Sequence, residues 1–179
     1  MDQRRFIMKG ILRLARKSIS LHEFQAANVL KKGGLPVLRG EAVESLEDAV
    51  RVARELGGGV VVKAQIHGGG RGRGMFKKSQ LSSGVHILDD ASGVKQLAGQ
   101  MLGDVLVTKQ TGSEGKPVRY LYVVERVAIK KEMYLAITID RERAAATIIA
   151  SPKGGMGIEE IDKRYILQQP LHNNQLSEE

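Results

Sequence analysis

Residues Val60 to Gly74, VVVKAQIHGGGRGRG, join an apolar run directly to five glycines among seven residues. The β-branched run before Lys63 favours a strand, whereas glycine is poorly suited to continue either a strand or a helix. A fold holding this sequence must end a strand in a loop with unusual backbone freedom. Glycines permit positive φ and close backbone approach, so successive N–H groups can converge on an anion. Lys63 adds a point charge on the strand, and Arg71 offers a forked donor suited to phosphate oxygens. The pattern is neither a P-loop nor a dinucleotide fingerprint. GxxxxGK[ST] is absent, and Met75-Phe76-Lys77-Lys78 follows instead of an evident helix. From these residues alone three readings stand: a phosphate site, a mobile surface linker and an RGG-like nucleic-acid segment.

The rest of the chain supplies helices and strands in alternation. Ser20 and Glu23 have the spacing of a capping box, which predicts a helix from Ser20, carrying Phe24, Ala27 and Leu30 and stopped by Gly33-Gly34. A short strand is expected at Leu35–Leu38. Leu46, Ala49, Val50, Ala53 and Leu56 mark a second helix between Ser45 and Gly57, and Val94, Leu97, Ala98, Met101 and Leu102 a third. Strands are expected at Val60–Ala64, Gly84–Leu88, Leu106–Gln110, Val118–Glu125, Met133–Asp140 and Thr147–Ser151. This order predicts an α/β (α+β) chain of two small mixed lobes. After Ile161 periodicity is lost, and Gln168-Gln169-Pro170 and Asn173-Asn174-Gln175 read as a polar tail.

Charge is unevenly placed. The formal net charge is +8, yet residues 1–20 hold six Lys/Arg against Asp2, leaving +3 for the rest. With only 4% aromatics and no tryptophan, the body has few stacking platforms and no broad basic face, so nucleic acid is not the expected partner. No stretch approaches the roughly 20 apolar residues of a membrane span. The first residues alternate Ile7, Ile11, Leu12 and Leu14 with arginines and close on Ser18 and Ser20, as in a mitochondrial transit peptide. Residues 1–19 are therefore expected to direct the chain to the mitochondrial matrix. The chain has no cysteine, which excludes disulfides and thiolate chemistry, and the histidines at 22, 67, 86 and 172 show no metal-ligand spacing. His67 invites a phosphohistidine role, although an ordinary hydrogen-bonding histidine is the simpler reading. His86 reads as structural and His22 as having no function.

A second signal spans Tyr122 to Leu135. Two strands flank a short basic connection, with Glu125 and Glu132 at their loop ends. Backbone groups of such a connection can bond an adenine edge, and a carboxylate can accept from ribose hydroxyls. A hairpin whose glutamates pair with Arg126 and the lysines fits the same residues.

Taken together, Leu21-His22-Glu23-Phe24-Gln25, Val62-Lys63-Ala64-Gln65-Ile66 with Gly69-Gly70-Arg71-Gly72, and Gly84-Val85-His86 occur in an order that resembles the N-terminal part of the succinate–CoA ligase β subunit. Thr108-Lys109-Gln110-Thr111, Glu132-Met133-Tyr134-Leu135-Ala136-Ile137 and Ser151-Pro152-Lys153-Gly154-Gly155 continue the match, which covers residues 20–160. The resemblance implies an ATP-grasp fold, N-terminal portion. Lys63, Gly70, Arg71 and Gly72 would hold nucleotide phosphates, Glu125 and Ala128 would mark the adenine hinge, and Glu132 would accept from the ribose. It also implies ATP or GTP as nucleotide, Mg2+ in the full-length family, and an α subunit as heterodimer partner that carries the phosphohistidine. No catalytic residue and no metal ligand is then expected in this chain. A position near Leu38 is a glutamine in GTP-using forms, so apolar Leu38 points to ATP. Family β subunits are more than twice as long, with metal-holding Asn and Asp on later strands and a second large domain. Residues 161–179 are expected to form a divergent polar tail, and the chain alone to bind nucleotide weakly without ligase activity.

Overall fold

The computed structural model describes residues 20–141, 145–155 and 157–171. Residues 1–19, expected from the sequence to be a targeting segment, and the end of the tail beyond 171 lie outside the described residues. The chain divides into two compact units, one running to Arg126 and the other starting at Val127.

The first unit is built on a four-stranded antiparallel sheet of β1 (Gly40–Val43), β2 (Val60–Gln65), β4 (Val85–Leu88) and β7 (Tyr120–Glu125), in the order β1-β7-β2-β4. A smaller sheet, β3-β5-β6, joins Met75–Phe76, Val105–Val107 and Lys116–Pro117. Two helices, α2 (Leu46–Leu56) and α3 (Val94–Met101), supply the apolar partners of the larger sheet. Ser45 caps α2, its Oγ accepting from the Asp48 N–H at 3.0 Å, as the sequence predicts. Gly57 ends it at φ +64°. The buried stripe is Ala49, Val52 and Ala53, so Val52 takes the core position that the spacing had given to Val50.

Alternation along β2 places Val60, Val62 and Ala64 in the core with Leu121 and Val123 of β7, all at 0% exposure. The intervening Lys63 points to the opposite face, directly across from Tyr122. That face is covered by α1 (Glu23–Lys32), where Phe24 meets the rings of Tyr120 and Tyr122 at 5.6 and 6.4 Å. Gln65, buried on β2, accepts from the Phe24 N–H at 3.4 Å.

The helix predicted from Ser20 starts later. His22 is the N-cap and Glu23 the first helical residue; Gln25 Oε1 accepts from the His22 N–H at 2.9 Å, so Gln25 closes the first turn. Glu23 is drawn away by two cations of β2 and its loop. The strand expected at Leu35–Leu38 is irregular, and pairing begins at Gly40, whose missing side chain allows β1 to lie against Val123 and Val124. Burial of Asp104 fixes the turn before β5: both carboxylate oxygens accept backbone N–H bonds from Lys78, Ser79 and Val105.

The second unit is a three-stranded antiparallel sheet, β10-β9-β8, from Leu167–Pro170, Ala145–Ser151 and Tyr134–Asp140. Part of the stretch read as a polar tail is thus strand β10, with Leu167 to Pro170 paired to Ala150 to Thr147. Backbone pairing needs no side-chain alternation, which is why no periodicity announces this strand. No helix among the described residues is long and apolar enough to cross a membrane.

Candidate functional site

The glycine loop is pinned in place. Gly69 donates its N–H to Gln110 Oε1 at 2.7 Å, and a side chain at Gly69 would strike that same amide. Gly70 adopts φ +73°, the left-handed region that favours glycine. The chain then makes a single 3-10 turn, Arg71–Arg73, closed by the Gly74 N–H to the Arg71 carbonyl. Gly74 lies so close to Leu106 and Val107 that a Cβ would overlap both. These contacts set aside the surface-linker reading.

The turn brings Arg71 back beside Lys63. Arg71 Nη1 donates to the Ala64 carbonyl at 2.8 Å, and Nη2 donates to Glu23 Oε2 at 2.6 Å. Lys63 Nζ donates to Glu23 Oε1 at 2.8 Å. One carboxylate from α1 therefore bridges a strand lysine and a loop arginine, and all three side chains are only 20–32% exposed. Burial works to raise the Glu23 carboxyl, but hydrogen bonds and charge from Lys63 and Arg71 hold it below its ordinary range. With Arg71 engaged on two sides, the RGG-like reading loses its central guanidinium.

Two hollows of the first unit meet at Glu23. One, of about 440 Å³, is lined by Ser20, Leu21, Ile66, His67, Gly68 and Arg71 besides Glu23. The other, of about 480 Å³, is mainly apolar and is lined by Ala27, Leu30, Pro36, Val37, Leu38 and Tyr122 among others. Burial and Glu23 raise the Tyr122 hydroxyl above its usual range. The rings of His22 and His67 meet at a tilt of 35°, centroids 4.1 Å apart, and burial, then His67 and Arg71, lower the pKa of His22. Sequence reading assigns His22 no role; here it is the N-cap residue of α1. His86 is structural, its Nε2 donating to the Ser83 carbonyl at 2.8 Å.

The remaining expected residues are dispersed. Glu125 shares the sheet with Lys63 but pairs across from Val60, three residues along β2 and roughly 10 Å away. Its carboxylate accepts from the Arg39 N–H at 2.9 Å and from Arg39 Nε at 2.7 Å, which lowers its pKa. Ala128 and Glu132 belong to the second unit, so the predicted adenine connection spans the boundary after Arg126. Ala128 is exposed. The Glu132 carboxylate lies against Gly155, and Gly154 lets the backbone press on Glu132 and Met133. Gly72 has open space around its Cα.

A strand lysine and a glycine-loop arginine bridged by one carboxylate lie on an antiparallel sheet backed by helices, and the sequence profile of the ATP-grasp domain covers residues 20–168. The chain belongs to the ATP-grasp family. This ATP-grasp chain is 48% identical over 146 residues to the β subunit of succinate–CoA ligase [ADP-forming] from Caulobacter sp. (strain K31), covering 80% of this chain and 37% of that one. It is 46% identical to the subunit of the same name from Rhodospirillum rubrum, with the same coverage, and 46% identical to that of Campylobacter hominis, over 83% of this chain and 36% of that one. The ATP-grasp chain thus spans little more than a third of the length of the curated relatives it matches. These relatives are bacterial. Among solved structures, the dinucleotide-forming acetyl-coenzyme A synthetase 1 of Ca. Korarchaeum cryptofilum superposes with a TM-score of 0.53 at 21% identity, over 87% of this chain and 61% of that one, a likeness of fold alone.

Proposed function

We propose that this chain is the nucleotide-binding part of a succinate–CoA ligase β subunit of the ADP-forming kind. The single observation that carries this reading is the convergence of Lys63 and Arg71, from β2 and its glycine loop, in a chain 46–48% identical to ligases of that name. The reaction would be succinate, CoA and ATP to succinyl-CoA, ADP and phosphate, a step of the tricarboxylic acid cycle. Phosphoryl transfer depends on positioning and charge neutralisation more than on covalent help, and Lys63 and Arg71 supply both for the phosphates. Gly70 and Gly72 keep the loop backbone open to them.

Leu38 in the apolar hollow next to the cations favours adenine over guanine, because an aliphatic side chain offers no hydrogen bond to a purine carbonyl. With its carboxylate held by Arg39, Glu125 contributes backbone groups at the adenine edge, with Ala128, while Glu132 accepts from the ribose. An α subunit is the expected heterodimer partner and bears the phosphohistidine, so His67 serves the hollow's shape. Mg2+ would neutralise further phosphate charge in the complete family protein; among the described residues no three His, Asp or Glu gather to hold it. The basic segment 1–19 supports delivery to the mitochondrial matrix, and a reporter fused to residues 1–25 should enter mitochondria; a diffuse cytosolic signal would refute this.

Calorimetric titration of the full chain with ADP and GDP tests the nucleotide reading. ADP should bind more tightly, and Lys63→Met should abolish the signal. Tighter GDP binding would overturn the adenine preference, and unaltered binding by Lys63→Met would overturn the site. A second reading, a non-catalytic module that docks on a partner, rests on exposed Leu135, Ile137 and Ile139 of β8, at 69–73% exposure. Co-purification with an α subunit by a chain that gives no calorimetric signal with ADP or GDP would favour it.

A further inference from the structure

We propose that Glu23 is an internal counter-ion that ligand phosphate must displace, and that it thereby sets the charge a ligand needs to enter the site. This rests on the reading of Lys63 and Arg71 as phosphate ligands, and it makes Glu23 a specificity-determining residue that favours polyphosphates over single phosphate groups.

The carboxylate already does what a phosphate would do. Its two oxygens lie on two different cations, Oε1 on Lys63 Nζ at 2.8 Å and Oε2 on Arg71 Nη2 at 2.6 Å. A terminal phosphate presents paired oxygens with a similar bite, and charge-assisted bonds of this type are the strong ones for either anion. The two ligands compete for the same donors.

The pieces differ in how firmly they are held. Lys63 is set by pairing on both sides of β2, with Val85 across from it on β4 and Tyr122 on β7. Arg71 keeps its Nη1 bond to the Ala64 carbonyl whichever anion it faces through Nη2. Glu23 alone comes from a separate element, at the first residue of α1, and it forms part of the wall of both hollows. Exchange of anions then requires one side-chain rotation by Glu23 and leaves both cations in place.

Electrostatics supply the threshold. Lys63, Arg71 and Glu23 together carry one net positive charge, which attracts a single anion weakly. Among the described residues, the other titratable groups facing Glu23 and Arg71 are His22, His67 and Tyr122; burial, then His67 and Arg71, lower the pKa of His22, so it offers little compensation. A pyrophosphate or nucleotide tail can leave one phosphate on the cations and place further charge towards the open loop, whereas inorganic phosphate brings only what Glu23 already provides.

The test is calorimetric titration of the full chain with inorganic phosphate and with pyrophosphate, for the wild type, Glu23→Gln, Glu23→Asp and Lys63→Met. Wild type should bind pyrophosphate far more tightly than phosphate. Glu23→Gln, close in size but uncharged, should tighten both and raise phosphate affinity about tenfold, narrowing the gap between the two ligands. Glu23→Asp, too short to span both cations, should fall between. Tighter binding is not a result that mere loss of structure produces. Unchanged or weaker binding by Glu23→Gln and Glu23→Asp, with Lys63→Met abolishing binding, would overturn the counter-ion role and leave the phosphate site standing. Equal pyrophosphate binding by wild type and Lys63→Met would overturn both.

Discussion

The two units of this chain treat their apolar residues in opposite ways. In the first, Phe76, Leu106, Val60, Val62 and Val123 are wholly enclosed, and two helices seal one face of the sheet. In the second, β8 turns Leu135, Ile137 and Ile139 outward at about 70% exposure. Antiparallel strands are common to both, so sheet formation does not explain the difference. Helices do: the first unit has amphipathic α-helices near its sheet in sequence, and the described residues of the second have only two 3-10 turns, Ile158–Glu160 and Lys163–Tyr165. The contrast teaches that the groups proposed to face phosphate sit on the better supported part of the molecule, as a site that must hold two cations in place requires.

The sharpest way to break this contrast is to open a cavity in the first unit. Phe76→Ala should cost about 3–5 kcal/mol, measured by urea denaturation followed by circular dichroism; a cost under about 1 kcal/mol would mean that the core is not organised as described. Next in size is Lys63→Met, which should weaken ATP binding at least about tenfold through loss of a charge-assisted bond, with the melting temperature little changed.

Asp104 gives a pH-dependent test of the same unit. Burial favours its neutral form, yet N–H bonds from Ser79, Val105 and Lys78 prevail and depress its pKa. Its stabilisation is therefore full above the ordinary carboxyl pKa of about 4 and is lost as the pH falls through the depressed value. Asp104→Asn should lower stability at pH 7 by about 1–3 kcal/mol and flatten the acid limb of a stability–pH curve. An unchanged acid limb would assign that limb to other carboxylates. The smallest effect belongs to the second unit: Ile137→Thr should change stability by no more than about 0.5 kcal/mol, because that side chain is already in water. A loss of several kcal/mol in a melt would show that β8 is covered.

Much of the first unit could be read from its residues. Ser45, the 46–56 spacing and Gly57 gave α2 its ends, and the 94–102 stripe gave α3 its buried face. Lys63 and Arg71 were legible as cations flanking a glycine loop. Their bridging partner was not, since Glu23 lies forty residues before Lys63 in sequence and looked like part of a capping box. Gln110 was hidden for the same reason, because only tertiary folding sets its amide beneath Gly69. Glu125 was placed correctly at the end of a strand, but its engagement by Arg39 depends on the pairing of β1 with β7. Strand β10 gave no pattern, as its pairing is carried by the main chain.

The side-to-side alternation of β2 has a consequence for how such a chain can change over time. Val62 and Ala64 answer to the interior and Lys63 answers to Glu23 on the opposite face, so packing and the proposed ligand preference are written on interleaved letters of a single strand. Point replacements can adjust one without touching the other. Adding or deleting one residue upstream within that strand would swap their sides, driving an ammonium group among the valines and erasing fold and the proposed anion grip in the same event.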